Sequence, residues 1–296
     1  MENRKPTVAA VTVAFSRPEL LREVIASLRG QTRPVDEIIV IDHSGESPIG
    51  PWLAEQKGLT IITQRNAGSA GGFGRGIEEA YRKGHDWVWI IDDDGVPQRD
   101  ALERLTSCPY FSSEETGFLV SRVVDPTGRT QMSSLPTESP GWYGTVLQDQ
   151  CVRVSRATWL GLLVSARAVE RCGLPIFEFF IWHEDQEYTE RMTADLNGYC
   201  VLTSVIVHHQ AGNALDPFTP GGYFKLSHGL RNEFGWIKLR NGSMFRKFLR
   251  ILALAAKDLG KILGGKLPWK SLTWVASGVF CFWPKVRRVE KRPPPG

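Results

Sequence analysis

Residues 87–94 read Trp-Val-Trp-Ile-Ile-Asp92-Asp93-Asp94, an apolar run that delivers three carboxylates at its end. A short apolar run of this kind, rich in aromatic and β-branched residues, predicts a buried strand over Trp87–Ile91. Side chains alternate along a strand, so Asp92 and Asp94 are expected on one side and Asp93 on the other. Two carboxylates facing the same way suit Mg²⁺ or Mn²⁺, which takes oxygen ligands and shares itself with substrate phosphates. Taken alone, the triplet also reads as a solvated acidic turn.

Upstream, Thr7–Phe15 is a second buried strand, followed by Ser16-Arg17-Pro18-Glu19, where Ser16 is expected to cap a helix with Glu19 closing the box. That helix carries Leu20, Leu21, Val24, Ile25 and Leu28 on one face. Glu37–Ile41 and Leu59–Thr63 predict further strands, and Gly72–Lys83 a helix. The alternation implies an α/β fold: a Rossmann-like, mostly parallel sheet flanked by helices, with ligands at the carboxyl ends of the strands. Downstream, Gly117–Val124 reads as a strand, 125–150 as loops rich in Pro, Gly, Ser and Thr, Ala166–Arg171 and Glu184–Ala194 as helices, and Tyr199–Val207 as a strand running into His208-His209.

The 296 residues, 42% of them hydrophobic, are enough for a sizeable core. Five cysteines without C-x-x-C spacing imply neither a disulfide framework nor a thiolate zinc site, and fit a reducing cytosol. The net charge of +4 hides an asymmetry. Residues 245–296 hold twelve Lys/Arg and two Asp/Glu, a net +10, which leaves 24 basic and 30 acidic residues in 1–244. A boundary is therefore expected near 244, with a catalytic domain over 1–244 and a basic helical tail over 245–296. In that tail Phe245, Phe248, Leu249, Leu252, Ala256, Leu259 and Leu263 share one helical face, and Arg246, Arg250, Lys257 and Lys261 another. With Trp269, Trp274, Phe280, Phe282 and Trp283 added, this predicts contact with an anionic membrane surface rather than nucleic acid. A helix packed on the catalytic domain with a solvated basic face is the alternative. No run approaches the length of a membrane span, so attachment is expected to be peripheral, at the inner face of the cell membrane.

Several strand-end residues have the chemistry of a nucleotide site. Phe15, Arg17 and Arg65 can sandwich a base, and Asp42 can accept from a ribose or base, though each alone also reads as a turn residue. Asn66-Ala-Gly68-Ser-Ala-Gly71-Gly72-Phe-Gly74-Arg75-Gly76 opens a helix and can bring backbone N–H groups to a phosphate. It is not a dinucleotide fingerprint, which follows the first strand, where Ser16-Arg17-Pro18 stands here. Glu184 and Asp185, after the aromatic run ending in Trp182, offer a base or merely complement a helix N-terminus. His208 can complete a metal shell. Trp159 and Trp182 can stack on sugars, although such aromatics are more often core.

Thr12–Pro18, Asp42, Asn66–Gly76, Asp92–Asp94, Trp182–Glu187 and His208 follow one another in an order that resembles glycosyltransferase family 2, of the GT-A fold, over about residues 7–240. The Gly-Gly-Phe-x-Arg-Gly segment ahead of the aspartates looks most like the bacterial galactofuranosyltransferase and rhamnosyltransferase branch. The resemblance implies Asp94 and His208 as ligands of Mn²⁺ or Mg²⁺, Asp92 and Asp93 beside the metal or ribose, Asp42 on the base, and Asp185 as catalytic base. It departs from the family at His183-Glu184, which leaves Glu184 competing with Asp185. It further implies an inverting transfer from a UDP- or dTDP-sugar to a hydroxyl of a lipid-linked or cell-surface glycan. Two other readings are a nucleotidyltransferase, which would carry a basic glycine loop after its first strand, and a non-catalytic membrane scaffold of the same fold.

Overall fold

The computed structural model describes residues 4–43, 49–209 and 217–292. In chain order its elements are β1 (Val8–Ala14), α1 (Pro18–Arg29), β2 (Glu37–Asp42), α2 (Ile49–Ala54), β3 (Thr60–Thr63), α3 (Gly68–Arg82), β4 (Trp87–Ile90), β5 (Gly95–Pro97), α4 (Ala101–Thr106), β6 (Thr116–Val124), β7 (Thr137–Glu138), α5 (Trp142–Asp149), β8 (Cys151–Arg156), β9 (Leu162–Ser165), α6 (Ala166–Cys172), α7 (Glu184–Met192), β10 (Asn197–His208), α8 (Pro220–Leu239), α9 (Met244–Leu263) and α10 (Ser271–Ala276).

Among the described residues the strands form one sheet in the order β3-β2-β1-β4-β9-β6-β10-β8-β7, with β5 paired to β10. The first half is parallel, as expected from its continuous apolar runs: β2 pairs with β1 and β3, and β1 with β4. The second half mixes directions. β9 runs antiparallel to both β4 and β6, and β10 is parallel to β6 but antiparallel to β8 and β5. Strand order reverses beside β1, which opens the crevice where sheets of this kind bind ligands.

Both faces of the sheet are covered. Leu21, Val24, Ile25 and Leu28 of α1, with Leu53 of α2 and Leu102 and Leu105 of α4, pack with Trp89 on one face. Phe73 and Ile77 of α3, Val169 of α6 and Tyr188 and Met192 of α7 pack on the other. Ser16 is not the cap of α1: Pro18 already occupies the first turn, Arg17 is the N-cap, and no side chain caps it. The 125–150 stretch, expected as loops, contains a 3-10 turn at Met132–Ser134, β7 and α5. The turn residues after Asp42, 44–48, lie outside the described residues.

Beyond 217 the chain forms a helical layer. Phe234 and Ile237 of α8 pack on Leu254 of α9, and Leu230 on Ile262 and Leu267. The residues after α10 return across the catalytic layer. Leu174 N–H donates to the Arg287 carbonyl (2.9 Å), Arg287 pairs with Glu78 (3.0 Å), and Arg292 donates to the His85 carbonyl (2.8 Å) while its guanidinium lies 4.0 Å from the Tyr81 ring centre. Two of the basic residues expected to face a membrane are thus engaged within the protein.

Glycines set the depth of α3 on the sheet. A Cβ at Gly76 would stand 2.2 Å from Val11 Cγ1, and one at Gly72 2.8 Å from Val13 Cγ2. These two positions carry helix-on-strand packing. Gly76→Val is therefore expected to force α3 off β1 and lower stability by about 1–3 kcal/mol, read as a lower urea midpoint; an unchanged midpoint would mean that the two elements separate without cost.

Candidate active site

β4 stops at Ile90, and the aspartates lie just past it, with the Gly95 N–H donating to the Asp92 carbonyl (3.1 Å). Strand alternation therefore does not govern the triplet. The turn gathers all three carboxylates, with oxygens of Asp92, Asp93 and Asp94 within 4.8 Å of one another. β5, leaving this turn, pairs antiparallel with the end of β10 and sets Gly95 opposite His208. The His209 N–H donates to the Asp94 carbonyl (2.9 Å), which locks that register. His208 Nε2 consequently stands 3.2 Å from Asp94 Oδ1, while His208 Nδ1 lies 2.6 Å from Gln131 Oε1. An amide oxygen can only accept, so the contact to Gln131 fits a donating Nδ1–H and leaves Nε2 as the ring nitrogen turned toward Asp94.

Three carboxylates so close need neutralising charge. Arg17, brought in by the turn after β1, places Nη1 2.7 Å from Asp93 Oδ1 and 2.6 Å from Asp94 Oδ2. Burial, then the neighbouring Asp94 and Asp93 charges, push the Asp92 carboxyl up from its ordinary value. Burial acts the same way on Asp94, but His208 and Arg17 outweigh it and hold that group down. Asp94 Oδ1 is buried and faces His208 Nε2 at 3.2 Å. A divalent cation fits this donor set of carboxylate oxygens and one imidazole nitrogen.

The second group of carboxylates reaches the cleft on an unusual backbone. Phe180, Trp182 and His183 all have positive φ, at 61°, 71° and 70°. Each such residue costs on the order of 1–3 kcal/mol and persists only where surrounding structure imposes it. Immediately after them α7 begins. Glu184 is buried, and its Oε1 accepts from Ser69 Oγ and from Trp159 Nε1 (3.3 Å). Asp185 Oδ1 accepts from the Gln186 N–H at 2.7 Å, and the side chain lines the cleft. Burial first, and the adjacent Glu184 charge second, raise Asp185 well above the carboxylate range, with Asp92 adding to the effect. Glu184 is raised too, by burial. Of the two, Glu184 is held by protein partners, whereas Asp185 presents a carboxylate of increased basicity to the same space as the triplet.

The cleft has a volume of about 610 Å³ and brings together Phe15, Arg17, Asn66, Asp92, Asp93, Asp94, Trp159, Trp182, Glu184, Asp185 and His208. Asp42, Arg65 and Gly72 are not among its lining residues. Asp42 ends β2 and is buried, Arg65 is exposed beyond β3, and Gly72 packs against Val13 and His43. Ser69 and Phe180, from the glycine-dense segment and the aromatic run, line the cleft as well, and Thr158, Phe224 and Lys225, which escaped the sequence reading, join them. Phe224 and Lys225 belong to α8, whose start was legible in Thr219-Pro220: Thr219 Oγ1 accepts from the Gly222 N–H (3.2 Å), and Pro fills the first turn.

Comparison with known proteins agrees with this geometry. The model of the family described as Glycosyl transferase family 2 matches residues 9–153. The galactofuranosyltransferase GlfT1 of Mycobacterium tuberculosis is 32% identical over 232 residues, covering 72% of this chain and 73% of that protein. GlfT1 of Mycolicibacterium smegmatis is 26% identical over 297 residues, covering 85% of this chain and 97% of that one. In fold, the chain is similar to the crystal structure of GalNAc-T7 with UDP, GalNAc and Mn²⁺, with a TM-score of 0.60 at 15% identity over 78% of this chain; it spans 48% of that protein's chain.

Because Glu184 is buried with Ser69 and Trp159 as its donors, Trp159→Phe is expected to remove one donor from a buried carboxyl and destabilise the fold by about 1–3 kcal/mol. A thermal or urea unfolding midpoint equal to that of the unmodified protein would show that Glu184 is satisfied without the indole.

Proposed function

The chain belongs to glycosyltransferase family 2, and from that premise we propose that it is an inverting, metal-dependent transferase. It moves galactofuranose from a UDP donor to a hydroxyl of a lipid-linked glycan. The observation that carries this reading is that the Asp92–Asp94 turn with His208, and the raised Asp185 carboxylate, face one cleft. The choice of galactofuranose rests on the names of the GlfT1 relatives; rhamnose from a dTDP donor would use the same machinery.

In the proposed step the acceptor hydroxyl oxygen bonds to the anomeric carbon while the bond from that carbon to the diphosphate oxygen breaks. Asp185 takes the hydroxyl proton as the new bond forms, and the diphosphate leaves with the bonding electrons. Its elevated proton affinity suits that task better than that of an ordinary carboxylate. Glu184, tied to Ser69 and Trp159, supports the wall. Arg17 offsets charge on Asp93 and Asp94, leaving Asp92, Asp94 and His208 as the ligand set for Mn²⁺ or Mg²⁺. That ion, when bound, supplies positive charge against the negative charge that grows on the leaving diphosphate. Phe15, half exposed at the rim, and Asn66 are the proposed nucleotide contacts, and Trp182 and Trp159 line the path of the sugars. Asp42, buried at the end of β2 and outside the cleft lining, is assigned no direct contact with the donor in this proposal.

The proposed acceptor is consistent with the face that α9 presents. Phe245, Phe248, Leu249, Leu252, Leu259 and Leu263 lie on it, between 43% and 68% exposed, with Trp269, Phe280 and Trp283 nearby. No helix among the described residues is long and apolar enough to cross a membrane. We propose 245–296 as a region that lies on an anionic leaflet, at the cytoplasmic face of the cell membrane, and 1–244 as the catalytic domain. Arg246, Arg250, Lys257 and Lys261 contribute about 1 kcal/mol each where they reach the lipid surface.

Two measurements test these proposals. Calorimetric titration with UDP is expected to show binding that requires Mn²⁺ and is lost in Asp94→Ala and His208→Ala, whereas Asp185→Asn keeps binding and loses transfer by about 10²–10⁴-fold. Metal-free UDP binding in Asp94→Ala, or transfer retained in Asp185→Asn, would defeat the assignment. Flotation with vesicles containing anionic lipid is expected to carry the intact protein and not Phe248→Glu/Leu249→Glu; equal flotation of both would remove α9 as the lipid-facing element.

A further inference from the structure

The segment that carries Asp185 into the cleft stands against its own backbone preferences, and two elements impose it. From one side, the start of α3 supplies the Ala70 N–H to the Phe180 carbonyl (3.1 Å), and Gly68 comes so near that a Cβ there would stand 2.0 Å from that oxygen. From the other side, α8 contributes Asn232, which is completely buried. Its Nδ2 lies 2.8, 3.0 and 2.8 Å from the carbonyl oxygens of Phe179, Ile181 and Trp182, and its two hydrogens are shared among these three acceptors. Its Oδ1 accepts from Arg231 Nε and Nη2, at 3.2 and 3.0 Å, so the amide cannot be reversed without losing both. About one turn earlier, Gly229 makes room for the Trp182 ring; a Cβ there would lie 2.4 Å from Trp182 Cε3.

A buried asparagine that merely satisfies carbonyls would need no particular address. This one binds three carbonyls within four residues, all in or beside the positive-φ stretch, and the next residues of the chain after that stretch are Glu184 and Asp185. Asn232 itself does not line the cleft. We infer that Asn232 is a positioning residue for the transfer reaction, acting through the backbone of 179–183 to fix where the Asp185 carboxylate stands. This rests on the reading of Asp185 as the base.

Asn232→Asp keeps shape and volume but sets an acceptor oxygen against three carbonyls. With UDP-galactofuranose and Mn²⁺, its kcat is expected to fall about 10²-fold, the size of effect that a displacement near 1 Å produces. Donor KM and calorimetric UDP affinity should stay within about threefold, because the metal and nucleotide groups are anchored by β1, β4 and β10. Hydrogen exchange should quicken at amides 180–186 and not in β1 or β4. If Asn232→Asp does not fold, Gly229→Ala, which pushes on Trp182 from the same helix, is expected to lower kcat likewise and to quicken exchange at 180–186, with calorimetric UDP affinity, which involves no sugar contact, kept within about threefold. A kcat within about twofold of the unmodified protein overturns the inference, as does faster exchange throughout the sheet with parallel loss of UDP affinity. The base reading fails separately, through full turnover in Asp185→Asn, which leaves the exchange result at 180–186 as a test of Asn232 alone.

Discussion

Three carboxylates at the end of one buried strand are the constraint around which this protein is arranged. Like charges this close raise one another's proton affinity and would by themselves favour opening the turn. Arg17 answers part of that charge from the β1 side, and His208, held by Gln131, faces it from the β10 side. The sheet makes this possible. β1 and β4 are parallel neighbours, so the turn after β1 and the turn after β4 emerge at the same edge. β10 runs antiparallel to the short β5, which brings its last residue back to that edge. A concentration of negative charge that a cation would complement is thus a consequence of how the strands end.

The second carboxylate group obeys a different rule. Glu184 and Asp185 are raised mainly by burial, and their basicity depends on keeping water and counter-charge at a distance. That requires an imposed backbone, which three bulky residues at positive φ supply and which the starts of α3 and the middle of α8 enforce. The site therefore combines one pole rich in fixed charge and one pole rich in fixed geometry. An in-line displacement needs both: charge where the diphosphate leaves, and a well-placed proton acceptor where the hydroxyl attacks.

How much of this was legible follows from the same physics. β1, β2, β4 and β6 are continuous apolar runs because both faces of the sheet are covered, and such runs announce themselves. β8 and β9 did not: Cys151-Val-Arg-Val-Ser-Arg alternates weakly at the antiparallel side, and β9 has only four residues after Gly161. The direction of the three aspartates was misread because alternation was extended past Ile90, where the strand has already ended. His208 was legible as an imidazole at a strand end, whereas the pairing of Asp185 with the triplet came from resemblance in order, not from spacing. Nothing local marks the 180–183 conformation, since positive φ is normally signalled by glycine and here is borne by Phe180, Trp182 and His183.

In the C-terminal layer the apolar stripe expected to meet a membrane is exposed, while a second and smaller apolar set packs inward. Period 3.6 in α9 was unmistakable, and a soluble helix normally turns its apolar stripe inward. Here the inward contacts are made by Ile251, Leu254, Ala255 and Ile262, beside a buried Asp258, while the richer stripe of Phe245, Phe248, Leu249, Leu252, Leu259 and Leu263 faces outward. A helix apolar on two sides needs two apolar environments. One is α8, and through α8 the same layer holds Asn232 against the segment leading to Asp185. The other must come from outside the chain, and the basic residues Arg246, Arg250 and Lys257 on α9 favour one that is negatively charged. The strap of 287–292 across α3 and α6 keeps this layer joined to the sheet, so the outward face of α9 and the aspartate turn are tied to the same framework.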